Sequence, residues 1–140
     1  MQVCGRVNNF VLTGLKQIET DIFIVRLHDD LIKEIIVKKN KTLNKEDIHE
    51  SIRLSQEAMP GKQFYVLIEG QENASVAAHA QGLAASAEYA KFAKALALCS
   101  PDPYLEVAGE VYLKVNHPKI PTRFFEKRDD ALVWLRSLIK

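Results

Sequence analysis

Two apolar runs open the readable pattern of the chain. Ile22-Phe-Ile-Val-Arg-Leu-His28 and Leu31-Ile-Lys-Glu-Ile-Ile-Val37 are rich in β-branched residues and flank Asp29-Asp30. This predicts two strands joined by a two-residue turn, with an aspartate taking left-handed backbone angles. Asn44 then offers an N-cap, Glu46 and Asp47 place negative charge in a first turn, and Ile48, Ile52 and Met59 share a face before Pro60-Gly61. These are the marks of an amphipathic helix. Gln63-Phe-Tyr-Val-Leu-Ile-Glu69 follows as a near-continuous apolar run, the pattern of a strand covered on both faces.

From Ser75 the chain turns alanine-rich, and propensity predicts a helix capped by Ser75 that runs from Val76 to about Phe92 despite Gly82. Lys94-Ala-Leu-Ala-Leu-Cys99 would suit the same helix. Its place before the Ser100-Pro-Asp-Pro103 break, and the alternation of strands with helices elsewhere, favour a short buried strand. Beyond the break, with Ser100 or Asp102 as a cap, Leu105, Ala108, Gly109, Tyr112 and Val115 share a helical face that Asn116-His117-Pro118 ends. Thr122-Arg-Phe-Phe-Glu126 reads as the last strand. Asp129 opens a final helix with Ala131, Trp134, Leu135 and Leu138 at helical spacing.

The order β-β-α-β-α-β-α-β-α predicts an α/β fold with a mixed five-stranded sheet flanked by helices, a single domain over residues 21–140. Residues 1–20 form an N-terminal extension, in which Val3 to Val7 and Asn9 to Leu12 are candidates to add a strand, cover an edge or join a partner subunit.

Composition narrows the function classes. At 140 residues and 47% hydrophobic content the chain can bury a core without disulfide or metal staples. A formal charge of +1 lacks the basic footprint of nucleic-acid binding, and the lysines between Lys33 and Lys45 have no interleaved aromatics. Cys4 and Cys99 stand far apart without a C-x-x-C partner, which fits a reducing compartment and implies neither a disulfide framework nor zinc. Arg6, Asn8, Asn9 and Lys16 interrupt the first twenty residues, and no run approaches the roughly 18 apolar residues of a membrane span. The expectation is a cytoplasmic protein.

No dinucleotide, phosphate-loop, metalloprotease, serine-hydrolase or EF-hand pattern occurs. His28, His49, His79 and His117 fall in four separate segments, so no metal, cofactor or catalytic residue is assigned. The candidate sites are therefore few. Ser75, shortly after the third strand and at the expected start of a helix, is a candidate phosphorylation or anion site, although a plain helix cap is the simpler and favoured explanation. Cys99 and Ser100 end the fourth strand before a helix, where α/β proteins often hold ligands and where a thiol's pKa can fall, although no base can be assigned to activate Cys99. Arg123 is a candidate carboxylate or phosphate clamp, with a strand-edge ion pair to Glu126 or an aspartate as the structural alternative. Glu69 is a candidate ligand or partner contact, but with Glu72 it is too loosely placed for paired-carboxylate catalysis. Tyr112 and Trp134 suit core or dimer-interface roles.

The order of elements, the strand Pro121-Thr-Arg-Phe-Phe125 and the helix Ala131-Leu-Val-Trp-Leu135 resemble small bacterial proteins of the STAS-like superfamily, the SpoIIAA-like anti-sigma-factor antagonists. The resemblance spans about Ile22 to Ile139. It implies a helix-flanked sheet used for protein binding or for sensing nucleotides and small ligands rather than for turnover. It also implies a serine phosphorylated by a partner kinase at the start of the helix after the third strand. Ser75 is the nearest equivalent, preceded by Glu69-Gly-Gln-Glu-Asn-Ala in place of the family's Asp-Ser-Ser-Gly type signature. The expectation is a noncatalytic regulatory module, a homodimer that meets a protein partner through Ser75 to Gly82. The first alternative is a protein that binds a small apolar ligand or lipid, as relatives of this architecture do; the second is an enzyme using Cys99 or Arg123.

Overall fold

Strands in the centre of a parallel sheet must bury both faces, and the chain supplies three such runs in succession. A computed structural model describes residues 5–12, 15–100 and 105–139, with side chains described over 16–100 and 109–139. The elements are β1 (Gly5–Leu12), β2 (Leu15–Thr20), β3 (Phe23–Leu27), β4 (Ile32–Val37), β5 (Thr42–Leu43), α1 (Lys45–Ala58), β6 (Phe64–Gly70), β7 (Ser75–Val76), α2 (Ala78–Ala84), a 3-10 turn (Tyr89–Lys91), β8 (Ala93–Cys99), α3 (Leu105–Asn116), β9 (Thr122–Phe125) and α4 (Arg128–Ser137). The fold is mixed α/β.

The main sheet has seven strands in the order β1-β2-β3-β4-β6-β8-β9. The expected five are present, and β1 and β2 extend the sheet within residues 5–20. Pairing is antiparallel from β1 to β4 and parallel from β4 to β9. β5 and β7 form a separate parallel pair, with Thr42 opposite Ser75 and Leu43 opposite Val76. Each parallel strand is laid down outside the last. Right-handed crossovers therefore place α1, α2 and α3 on one face of the sheet, and α4, after the last strand, covers the other.

Strand alternation sorts the core accordingly. Ile35, Val37, Val66, Ile68 and Leu96 pack toward α1 and α2 with Ile48, Leu54, Ala80 and Ala84. Ile32, Tyr65, Leu67, Ala95, Ala97 and Cys99 pack toward Ala131, Leu132 and Leu135 of α4. At the start of α1, Asp47 accepts from the Asn44 backbone N–H at 2.8 Å, one half of a capping box.

Four expectations are corrected. The β3–β4 turn is longer than two residues: Leu27 pairs with Lys33, and the left-handed residue is Leu31 at φ 72°, not an aspartate. Asp30 Oδ1 accepts from the Ile32 N–H at 3.3 Å, a side-chain turn that helps hold the bend. The alanine-rich helix stops at Ala84 and restarts only as a 3-10 turn. Its Ser86 hydroxyl accepts from the Tyr89 N–H at 3.2 Å, and Tyr89 is carried into the core at 1% exposure; burying that ring overrides local helix propensity. Ser75 caps no helix, since it lies in β7 and Ala77 is the N-cap of α2. Val115, expected on the buried face of α3, is 70% exposed, whereas Gly109 and Tyr112 are buried. Cys4, Asp102 and the side chains of Leu105 and Ala108 lie outside the described residues.

Candidate functional site

The C-terminal ends of parallel strands are where open α/β sheets expose backbone and loops to ligands, and here those ends border a cavity of about 610 Å³. Val37, Ile68, Leu98, Tyr112 and Phe124 supply its apolar lining. The rings of Tyr112 and Phe124 meet edge to face at 5.7 Å. The Tyr112 hydroxyl donates to the Gln81 backbone carbonyl at 3.1 Å, which ties α3 to α2 across the cavity; burial pushes that phenol up to about 12. Gly109 is needed for this closure, because a Cβ there would stand 2.7 Å from Phe124 Cδ1.

The polar lining comes from the β6–β7 loop, the strand ends and α2: Gln71, Glu72, Asn73, Ser75, Gln81 and Ser100. Gln81 Nε2 donates to the Val76 carbonyl at 3.1 Å, and Ser75 Oγ lies 2.8 Å from Thr42 Oγ1. Glu72 is exposed and pairs with Lys39 at 3.0 Å. Glu69 and Cys99 also border the cavity, yet alternation turns their side chains toward the face that α4 covers, as the Arg128 pair of Glu69 and the packing of Cys99 show.

On that face a chain of charges is assembled. Glu34, fully buried, accepts from Arg128 Nη2 at 2.5 Å and Nε at 3.1 Å, and its other oxygen is 2.5 Å from His28 Nε2. Arg128 Nε also lies 3.4 Å from Glu69. Burial pushes the Glu34 carboxyl up, but the hydrogen bonds from His28 and Arg128 outweigh it and hold the group below its ordinary value. Glu69 has no such surplus of donors; burial keeps it above its ordinary value, aided by the nearby Glu34. Burial, then the Glu69 charge, likewise raises the Cys99 thiol.

The model of a family described as a domain of unknown function, DUF7793, matches residues 25–139. The chain belongs to that family. No curated protein matches it. An uncharacterized DUF3478 protein from Shewanella loihica PV-4, described as having a SpoIIAA-like fold, is similar at 21% identity with a TM-score of 0.51, over 90% of this chain and 97% of its own. That likeness concerns the fold.

In this DUF7793 domain the sequence-derived candidates thus divide. Ser75 and Ser100 border the cavity, as do Glu69 and Cys99 with their side chains turned to the other face. Arg123 is apart from it: its guanidinium stands 5.0 Å from the Phe125 ring and 5.6 Å from that of Trp134. With Ser75 in a strand, the helix-terminus argument for an anion there lapses. The His28–Glu34–Arg128 group escaped the sequence reading. Its signal was the adjacent charges Lys33-Glu34 inside a strand buried along its whole length, since neighbours on a strand must enter opposite faces. Among the described residues no group of three or more His, Cys, Asp or Glu side chains is placed to hold a metal ion, and no helix is long and apolar enough to cross a membrane.

Proposed function

We propose that the domain is a noncatalytic binding module that holds a small, largely apolar ligand in the cavity at the ends of β6 and β8. The cavity carries this reading. Its volume of about 610 Å³ falls in the range that suits small-molecule sites, as does its apolar floor beneath a few oriented polar groups. A noncatalytic role is favoured by the raised Cys99 thiol, a poor nucleophile in that state, and by the stacking of Arg123 on aromatic rings. A cytoplasmic setting remains part of the proposal, on the two widely spaced cysteines.

The test is direct. Titration with 2-phenylethanol, followed by side-chain NMR, should give saturable shifts at Ile68, Leu98, Tyr112 and Phe124. Ser75→Trp, which sets an indole at the cavity wall from an exposed position, should abolish them. Shifts that do not saturate, or that survive the indole unchanged, would refute the reading.

A second reading, a regulatory module that pairs with a protein or with itself, draws on the outward side of α3. Val111 and Val115, one helical turn apart, are 55% and 70% exposed, an unusual apolar flank for a surface helix. If this flank mediates self-association, light scattering should report a dimer that Val111→Glu with Val115→Glu converts to monomer; a monomer at the outset counts against it.

A further inference from the structure

We infer that the cavity accepts an amphiphile whose head group forms hydrogen bonds but carries no negative charge. The inference rests on the ligand-binding reading above and specifies the ligand's chemistry.

Charge is the first observation. Among the described residues, none that lines the cavity is lysine, arginine or histidine, whereas Glu72 lies on the wall and Glu69 borders it from the other face. Two cations near it are already paired. Lys39 pairs with Glu72 at the exposed rim, and Arg128 lies on the α4 face, bound to Glu34 and Glu69. A phosphate or carboxylate seated here would exchange water for apolar side chains and ring faces that carry partial negative charge.

The second observation is what the wall offers in place of charge. Gln81 donates its amide N–H to Val76 O at 3.1 Å, which fixes the side chain and leaves Oε1 as an acceptor beside the cavity. The Ser75 hydroxyl, oriented by Thr42 at 2.8 Å, lies on the same wall. Amides and hydroxyls of this kind select hydroxyl, amide or amine head groups, and Ile68, Leu98, Tyr112 and Phe124 accommodate the apolar body.

Three probes of similar shape separate the terms: 2-phenylethanol, 2-phenylethylammonium and 3-phenylpropanoate, titrated into the full chain by NMR. The alcohol and the ammonium should bind, and the carboxylate should bind at least about tenfold more weakly than the alcohol, the cost of burying an uncompensated charge. Ser75→Lys, at an exposed wall position, should bring the carboxylate to within about threefold of the alcohol by supplying the missing partner charge. A carboxylate that matches the alcohol in the unmodified chain, or one that gains nothing from Ser75→Lys, overturns this inference while leaving the cavity reading intact. Failure of all three probes overturns both.

Discussion

Glu34 Oε1 accepts from Arg128 Nη2 at 2.5 Å, joining the centre of β4 to the first residue of α4 across 94 positions of chain. The carboxylate is fully buried and the guanidinium partly exposed, so the two ends of the pair differ in what their loss costs. Arg128→Met leaves a buried charge with His28 as its remaining side-chain partner, and should destabilise the fold by about 2 kcal/mol, less than a fully buried orphan charge because water reaches the site. Adding Glu34→Gln to that variant should recover part of the loss. Urea unfolding of the two single variants and the double variant measures the coupling; additive effects would show that the pair is energetically idle.

Lys33 predicts the opposite kind of titration on the other face. It is 3% exposed, its Nζ lies 3.2 Å from Ser51 O and 3.3 Å from Ser51 Oγ, and burial lowers its pKa from 10.5 to about 7. Between those values the unfolded chain holds a proton that the folded chain does not, so stability rises with pH through that window and is lost as pH falls from 10.5 toward 7. The change is on the order of 5 kcal/mol over the full window. Lys33→Met should flatten this slope and raise stability at neutral pH, as read from urea midpoints between pH 7 and 10; an unchanged slope refutes the assignment. Glu34 acts at the acid end with the reverse sense: its depressed pKa stabilises the fold above the unfolded carboxylate value and is lost as pH falls through the folded one.

These two neighbours also show which parts of the molecule could be read in advance. β6 was legible because a strand buried on both faces needs an apolar run, β4 because of its β-branched residues, and Lys94 to Cys99 was recovered as a strand against its helix propensity because its neighbours alternate. The break after Ala84 was not legible, since it is decided by where Tyr89 packs rather than by the alanines around it. The cavity borders were partly foreseen, because strand ends in such sheets are natural ligand positions. Which way each side chain faces at those ends depends on register. That is why Ser75 and Ser100 were grouped with Glu69 and Cys99, whose side chains turn toward α4. Arg128, 94 positions from its partner, carried no local mark at all.

Gly109 offers a test of how closely α3 must approach the sheet. A methyl group there would meet Phe124 Cδ1 at 2.7 Å and Cγ at 2.8 Å. In an exposed helix Gly→Ala would stabilise by about 1 kcal/mol; here overpacking should outweigh that and give a net loss of about 1–2 kcal/mol. Phe124→Leu added to Gly109→Ala should relieve most of the penalty. A stabilised Gly109→Ala variant in thermal unfolding would mean that α3 is free to move away from β9.

Cys99 offers a test of thiol chemistry at the strand ends. It is buried against α4 at 8% exposure, and its pKa is raised first by burial and then by the Glu69 charge. Both effects reduce the thiolate fraction, and burial also blocks approach, so the native thiol should be slow to react. In a Cys4→Ser background, which isolates the signal, the native protein should react with an aromatic disulfide reagent at least about tenfold more slowly than the urea-unfolded chain at pH 8. Glu69→Gln should shorten that difference by removing the adjacent charge, whereas a merely inaccessible thiol would be indifferent to it. A native rate equal to or faster than the unfolded one would instead mark Cys99 as an activated nucleophile and revive a catalytic reading of the strand ends.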